Sequence, residues 1–245
     1  YAAFGPEPIR HRLELGDARV VITTESLYRR KQAPLRDRLG FVRYNIVIDR
    51  DPDDTPAGTL SLPGLIADED PGTPEVLTRA DDPAILHFTS GTTGTPKGAL
   101  HVHEAVVSHA ATGSDVLGLV PGDVYWCTAD PGWVTGTSYG IVAPLAVGVR
   151  LVVDEAEFDA HRWYEILERE RVSVWYTAPT AIRLLVRAGT ALARDHDRDA
   201  HPLVFSVGEP LGGRPAEGGR EAGGVPSRDT RWQTEAGSIM MATPH

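Results

Sequence analysis

Cysteine is almost missing from this 245-residue chain, where Cys127 stands alone. One thiol cannot close an intrachain disulfide, and it excludes a zinc site built from several cysteines. So little thiol fits a reducing compartment, and a cytoplasmic location is the expectation. Long apolar runs are missing as well. None approaches the ~18 residues that a membrane-spanning helix needs, and the opening YAAFGPEPIR lacks the basic-then-apolar order of a secretory signal. Basic residues are the minority, with 24 Lys+Arg against 34 Asp+Glu and a formal net charge of −10. A partner gripped through a basic face, such as duplex nucleic acid, is disfavoured. Neither nucleic acid nor a membrane is expected as a partner, whereas a small anionic substrate held by a local loop remains compatible. The chain also begins at Tyr1 rather than Met, which suggests a piece of a longer protein.

The remaining composition is that of a globular domain, with 41% hydrophobic and 24% charged residues. Apolar, β-branched runs at 19–23, 44–49, 84–88, 124–128, 150–153, 172–177 and 203–207 read as strands. Between them, helices are expected over 6–15, 101–111, 159–171 and 180–188, the last led by Pro179 in its first turn. This alternation predicts an α/β fold with parallel-sheet subdomains. Residues 50–82 are rich in Asp, Pro, Gly and Thr and read as a long connection without elements of its own. The stretch LGGRPAEGGREAGG at 211–224, with six glycines and a proline, reads as a loop or a weakened helix.

The strongest chemical signal is FTSGTTGTPKG at 88–98, between an expected strand and an expected helix. Gly91, Gly94 and Gly98 let the backbone approach a ligand closely. Thr89, Ser90, Thr92, Thr93 and Thr95 supply hydroxyls, and Lys97 supplies a positive charge. Such a set suits a polyphosphate. It is not a Walker loop, which needs Gly, Lys and Ser/Thr in succession, because Pro96 precedes the lysine and Gly98 follows it. Two weaker patterns are set aside. Gly136-x-Ser138-x-Gly140 matches a hydrolase nucleophile elbow, but no strand leads into Ser138. His101, His103 and His109 lack zincin spacing and read as surface or boundary residues of a helix.

The 88–98 loop resembles the phosphate loop of the AMP-forming adenylating enzymes. Three further segments narrow the resemblance to the AMP-forming acetate–CoA ligases: WCTADPGWVTGTSYG at 126–140, SVGEP at 206–210 and DTRWQTEAG at 229–237. WYTAPTAIR at 175–183 supports the same family. The resemblance implies activation of acetate with Mg-ATP to acetyl-AMP and pyrophosphate, followed by transfer of the acetyl group to coenzyme A. It implies phosphate contacts from Thr89 to Lys97 and a Mg²⁺ contact from Glu235. The adenine side would be Gly208, Glu209 and Pro210, and the AMP and acyl-phosphate region would be lined by Asp229, Thr230, Arg231, Gln233 and Thr234. Trp232 would close the acyl pocket against Val134, Thr135 and Val207, leaving room for a methyl group. Arg29 and Arg30, beside Tyr28, resemble a basic stretch near the coenzyme A 3′-phosphate.

The chain departs from the family at Arg231, where a tryptophan is usual, at Ala236, where a threonine is usual, and through 211–224, where a clean helix is usual. Decay, sequence error and adaptation all remain open for these departures. By the same resemblance, residues 1–245 form part of the large AMP-binding domain, with a subdomain junction near 50–82. The start of that domain and the small C-terminal domain, which brings a lysine to adenylation, lie outside the chain. A non-catalytic piece that at most binds nucleotide, and a ligase for another short acid such as propionate, are the alternatives.

Overall fold

The computed structural model describes residues 4–70, 72, 75–90, 96–189, 192, 202–209 and 227–243. Two compact units are present: residues 1–82 with 86–100, and residues 83–85 with 101–245.

In the first unit, α1 (Pro6–Leu15) has a proline in its first turn and leads into β1 (Val20–Thr23). A helical stretch follows through α2 (Glu25–Leu27) and residues 28–38. Next come β2 (Tyr44–Val47), β3 (Leu60–Ser61) and α3 (Leu62–Ala67). Strands β1, β2 and β3 form a parallel sheet in that order. The 50–82 segment therefore differs from the element-free connection expected, because it holds β3 and α3. A local cause is visible: the Ser61 side chain accepts the Gly64 N–H at 3.0 Å, and Pro63 sits in the first helical turn.

Strands β4 (Pro83–Thr89) and β5 (Lys97–Val102) pair with each other and flank the Gly/Thr loop. Helix α4 begins only at Ala105 and runs to Asp115. His101 consequently lies on a strand, which corrects the expected helical start. Pairing with β4 holds residues 97–102 extended, and no side chain caps the helix at Glu104.

The second unit is built on β6 (Val124–Cys127), followed by α5 (Val134–Thr137) and α6 (Ala143–Val147). It continues through β7 (Arg150–Val152), α7 (Ala160–Arg169), β8 (Val174–Thr177) and α8 (Pro179–Ala188). Strands β9 (Leu203–Ser206), β10 (Ser227–Arg231) and β11 (Met241–Ala242) complete a six-stranded sheet. Its order is β11-β10-β9-β8-β6-β7. All neighbours run parallel except β10 and β11.

Successive residues of a strand point to opposite faces. Tyr125, Val174, Tyr176 and Phe205 enter one core with Leu117, Leu119, Tyr139 and Ala143. Trp126, Trp175 and Val204 enter the other with Trp163, Tyr164, Ile166 and Leu185. All four residues of β8 are buried, as expected of an interior parallel strand covered on both sides. In the second core, Trp126 lies edge-on to Trp163 at 5.1 Å between ring centres and stacked on Trp175 at 6.2 Å. Cys127 ends β6, and burial pushes its thiol up to about 11.

Two outcomes follow from this packing. Leu185→Ala opens a cavity in the second core and is expected to lower unfolding free energy by about 2–5 kcal/mol, against within about 0.5 kcal/mol for Arg187→Ala on the exposed side of α8. Chemical denaturation measures both, and equal costs would contradict the burial. The Cys127 thiol is expected to stay unlabelled by iodoacetamide at pH 8 in the native protein and to react once denatured, since its thiolate fraction is about one in a thousand there.

Candidate active site

The route from β6 to β7 leads one way along the sheet, and β8 returns to the other side of β6. That reversal makes a switch point, and in open parallel sheets ligands settle beyond the carboxyl ends of the strands at such a point. Thr128 Oγ1 and Thr177 Oγ1 meet there at 2.6 Å, just past β6 and at the end of β8. Four of the chain segments that leave this edge carry the motifs: 128–137 after β6, 178–183 after β8, 207–209 after β9 and 232–237 after β10. Val134, Thr135, Val207, Gly208, Glu209, Trp232, Gln233, Thr234 and Glu235 sit on these segments, whereas Asp229, Thr230 and Arg231 lie within β10 itself.

After β6, a tight loop brings Val134 and Thr135 to the start of α5, with Thr135 buried. Gly136 is required by close approach: a Cβ there would run into the Asp130 carbonyl oxygen and come within 2.8 Å of the Ala129 one. Ser138 is fully buried inside the same helical stretch, which removes it as an exposed nucleophile. Beyond β9, Val207 is buried and Gly208 has a φ of +97°, a conformation that L side chains rarely adopt. Glu209 is gripped from α8 by the Thr180 hydroxyl and by Arg183 Nη1, the latter at 2.8 Å. Those two bonds, Thr180's first, hold its carboxyl below the usual range. The 207–209 turn is thus tied to the helix that follows β8.

After β10, Trp232 leads into a turn closed by the Gln233 carbonyl, which accepts the Ala236 N–H at 3.0 Å. The indole packs on the first core, edge-on to Tyr139 at 5.1 Å. Its Nε1–H donates to the Tyr176 hydroxyl at 3.3 Å. Val207 belongs to the core that the Trp232 indole packs against. Thr230 is buried, whereas Gln233 and Glu235 are exposed. Asp229 accepts from the Ser206 hydroxyl at 3.1 Å and faces the exposed Arg231 guanidinium at 3.6 Å. Arg231, where the family pattern has an aromatic, is therefore a solvated cation paired within its own strand.

The turn is pinned at its far end. The Ile239 N–H donates to the Tyr139 hydroxyl at 2.7 Å, and His109 Nε2 donates to the Gly237 carbonyl at 2.7 Å. His109 is buried rather than at the surface, and burial pushes its pKa down, so the imidazole is neutral with its proton on Nε2. Among the described residues, no group of three or more His, Cys, Asp or Glu is placed to hold a metal. A lone exposed carboxylate such as Glu235 still suits Mg²⁺, which takes one or two carboxylates and fills its shell with water and phosphate oxygens.

In the first unit, Thr89 ends β4 and the exposed Lys97 opens β5, with Ser90 just past β4. Gly91, Thr92, Thr93, Gly94 and Thr95 lie outside the described residues, as do Pro210 and 211–224. Arg29 Nε donates to Glu25 Oε1 at 2.6 Å, and Arg30 Nε donates to the Ser26 carbonyl at 3.2 Å. Both side chains return to the preceding turn. Sequence reasoning assigned no role to Tyr176, Thr180, Arg183, Tyr139 or His109. The first three stand inside the 175–183 motif, so position within a motif was the available signal.

A parallel sheet covered on both faces, with its motif loops leaving one carboxyl edge, defines an α/β ligand-binding domain. The chain belongs to the AMP-binding enzyme family, whose pattern matches residues 1–245. It is 41% identical to an acetyl-coenzyme A synthetase of Bacillus subtilis, over 98% of this chain and 41% of that protein. It is 36% identical to acetyl-coenzyme A synthetase 2 of Pseudomonas aeruginosa, over 98% of this chain and 40% of that one. The crystal structure of an acyl-CoA synthetase from Brucella canis superposes with a TM-score of 0.82 at 31% identity, covering 95% of this chain and 42% of that one. The chain thus spans about two fifths of the length of these curated relatives.

Gly136→Ala is expected to destabilise the protein by about 1–3 kcal/mol, because the added methyl must displace backbone rather than a side chain. Denaturation of this variant beside Gly140→Ala, whose Cβ meets only the Cys127 side chain at 3.5 Å, checks the claim. A Gly136→Ala midpoint no lower than that of Gly140→Ala would contradict it.

Proposed function

We propose that this chain is the nucleotide- and acyl-binding part of an AMP-forming acetate–CoA ligase. The observation that carries the reading is the departure of four motif segments from one carboxyl edge of the second unit's sheet. In the first half-reaction an acetate oxygen bonds to the α-phosphorus of ATP and the bond to the β-phosphate bridging oxygen breaks, releasing pyrophosphate. In the second, the coenzyme A sulfur bonds to the acetyl carbon, AMP leaves and the thiol proton is given up to solvent.

The first step brings a carboxylate against a polyphosphate, so its barrier falls when fixed positive groups and alignment offset the repulsion. In this reading Lys97 and the hydroxyls and N–H groups of residues 89–95 carry the phosphates. Gly208 and Glu209, with Pro210, form the adenine wall, and the Thr180–Arg183 grip on Glu209 keeps that wall in place. Asp229, Thr230, Gln233 and Thr234 border the AMP and acyl phosphate. Glu235 is the residue to hold Mg²⁺, which when bound supplies further neutralisation of the phosphate charge.

Trp232, with Val134, Thr135 and Val207, limits the acyl group. One methylene too many in such a pocket costs about 1–3 kcal/mol, so acetate is taken first and propionate weakly. Arg29 and Arg30 are assigned to coenzyme A as a basic stretch, a role that requires them to exchange their present local partners. The rest of the catalytic machinery is assigned to the part of the relatives' length that these 245 residues do not span. A single cysteine supports a reducing, cytoplasmic setting.

Calorimetric titration with a non-hydrolysable acetyl-adenylate analogue tests the assignment. Saturable binding is expected, weakened about tenfold or more by Lys97→Ala. Trp232→Gly is expected to bring the butyryl analogue level with the acetyl one. Absence of binding by the folded chain would sink the reading.

A further inference from the structure

Tyr176 contributes nothing to the surface, and its hydroxyl is the hub of a buried polar chain inside an otherwise apolar core. The direction of that chain can be derived. An indole N–H only donates, so Trp232 Nε1 gives its proton to the Tyr176 oxygen at 3.3 Å. A carbonyl only accepts, so the single Thr230 hydroxyl proton goes to the Ser206 carbonyl at 2.9 Å. The Thr230 oxygen, 2.7 Å from the Tyr176 oxygen, must therefore accept from the tyrosine. The sequence is Trp232 to Tyr176 to Thr230 to the Ser206 carbonyl, with each hydroxyl proton used once. Burial pushes the Tyr176 phenol up, so its proton stays in place. The accepting end of the chain is anchored in the sheet, since Ser206 ends β9 and Thr230 lies in β10 beside it.

The Tyr139 ring completes the clamp. It stands edge-on to both Trp232 at 5.1 Å and Tyr176 at 5.9 Å, and its own hydroxyl is fixed by Thr112 at 2.7 Å and by the Ile239 N–H. The indole is thus held by one hydrogen bond and one ring face. The hydrogen bond selects, among the orientations open about the Cβ–Cγ bond, the one that turns Nε1 toward Tyr176.

We propose that Tyr176 is a positioning residue that sets acyl-chain length by locking the Trp232 indole across the pocket. The inference rests on the acyl-pocket reading above. With the phenol oxygen gone, the indole N–H is a part-buried donor without its acceptor, and the orientation that satisfies it swings toward solvent. The pocket then admits a longer acyl chain while its other walls are unchanged.

The test uses Tyr176→Phe and, should that variant fail to fold, Thr230→Val, which removes the acceptor for the tyrosine proton. Two readouts are taken. In protein labelled with ¹⁵N-tryptophan, the Trp232 indole resonance is assigned by its loss in Trp232→Phe, and its proton exchange is expected to quicken about tenfold or more in Tyr176→Phe. By calorimetry, the preference for the acetyl- over the propionyl-adenylate analogue is expected to fall about fivefold, the factor that one ordinary hydrogen bond carries. Wild-type exchange in Tyr176→Phe overturns the relay. Faster exchange with an unchanged preference, in a protein where Trp232→Gly does widen the pocket, overturns the role in selectivity alone. An unchanged preference in Trp232→Gly, or no binding by the wild type, removes the acyl-pocket reading and this inference with it, while the exchange readout still reports whether the bond exists.

Discussion

An interior parallel strand has no solvent-facing side, and β8 imposes that constraint on the second unit. Val174, Trp175, Tyr176 and Thr177 are all buried, so each must find a partner on one face or the other. The apolar atoms of Val174 and Trp175 go to opposite cores, which forces helices onto both sides of the sheet. The polar atoms of Tyr176 and Thr177 must instead find hydrogen bonds, and their partners are Trp232, Thr230 and Thr128. The same four residues therefore build the core and hold the ends of β6 and β10 and the segments that leave them.

The strand pattern was legible in the sequence because burial on both faces selects continuous β-branched and aromatic runs. Residues 172–177 and 203–207 are such runs, and strands Val174–Thr177 and Leu203–Ser206 stand there. Helix α7 was legible from the spacing of Trp163, Ile166 and Leu167, and Asp159 caps it by accepting the Arg162 N–H at 2.8 Å. Strand β5 was not legible. Lys97 and Gly98 have no strand preference of their own, and pairing with β4 holds them extended. Strand β3 was hidden by its brevity, two residues that pair with β2 within an Asp- and Pro-rich stretch.

For the site, the motif positions came from resemblance, and the interactions that orient them needed coordinates. Glu209 was assigned to the adenine side by resemblance alone, and the structure adds that its carboxylate joins the β9 turn to α8 through Thr180 and Arg183. His109 looked like a boundary residue, yet it donates to the Gly237 carbonyl from a buried position 128 residues away in sequence. Pairings over such separations leave no periodic trace in a single chain. Arg231 is the reverse case. Its departure from the family pattern is plain in the sequence, and the structure gives it a local partner in Asp229.

The central claim is that the loops leaving the carboxyl edge of one parallel sheet form a single acyl-adenylate site. A crystal structure of the chain with a non-hydrolysable acetyl-adenylate analogue tests it most directly. The account predicts the adenine against Gly208 and Glu209, and the acetyl methyl against the Trp232 indole with the Nε1–H still on Tyr176. An analogue seated away from the carboxyl ends of β6, β8, β9 and β10, or an indole turned off Tyr176 in the complex, would contradict it.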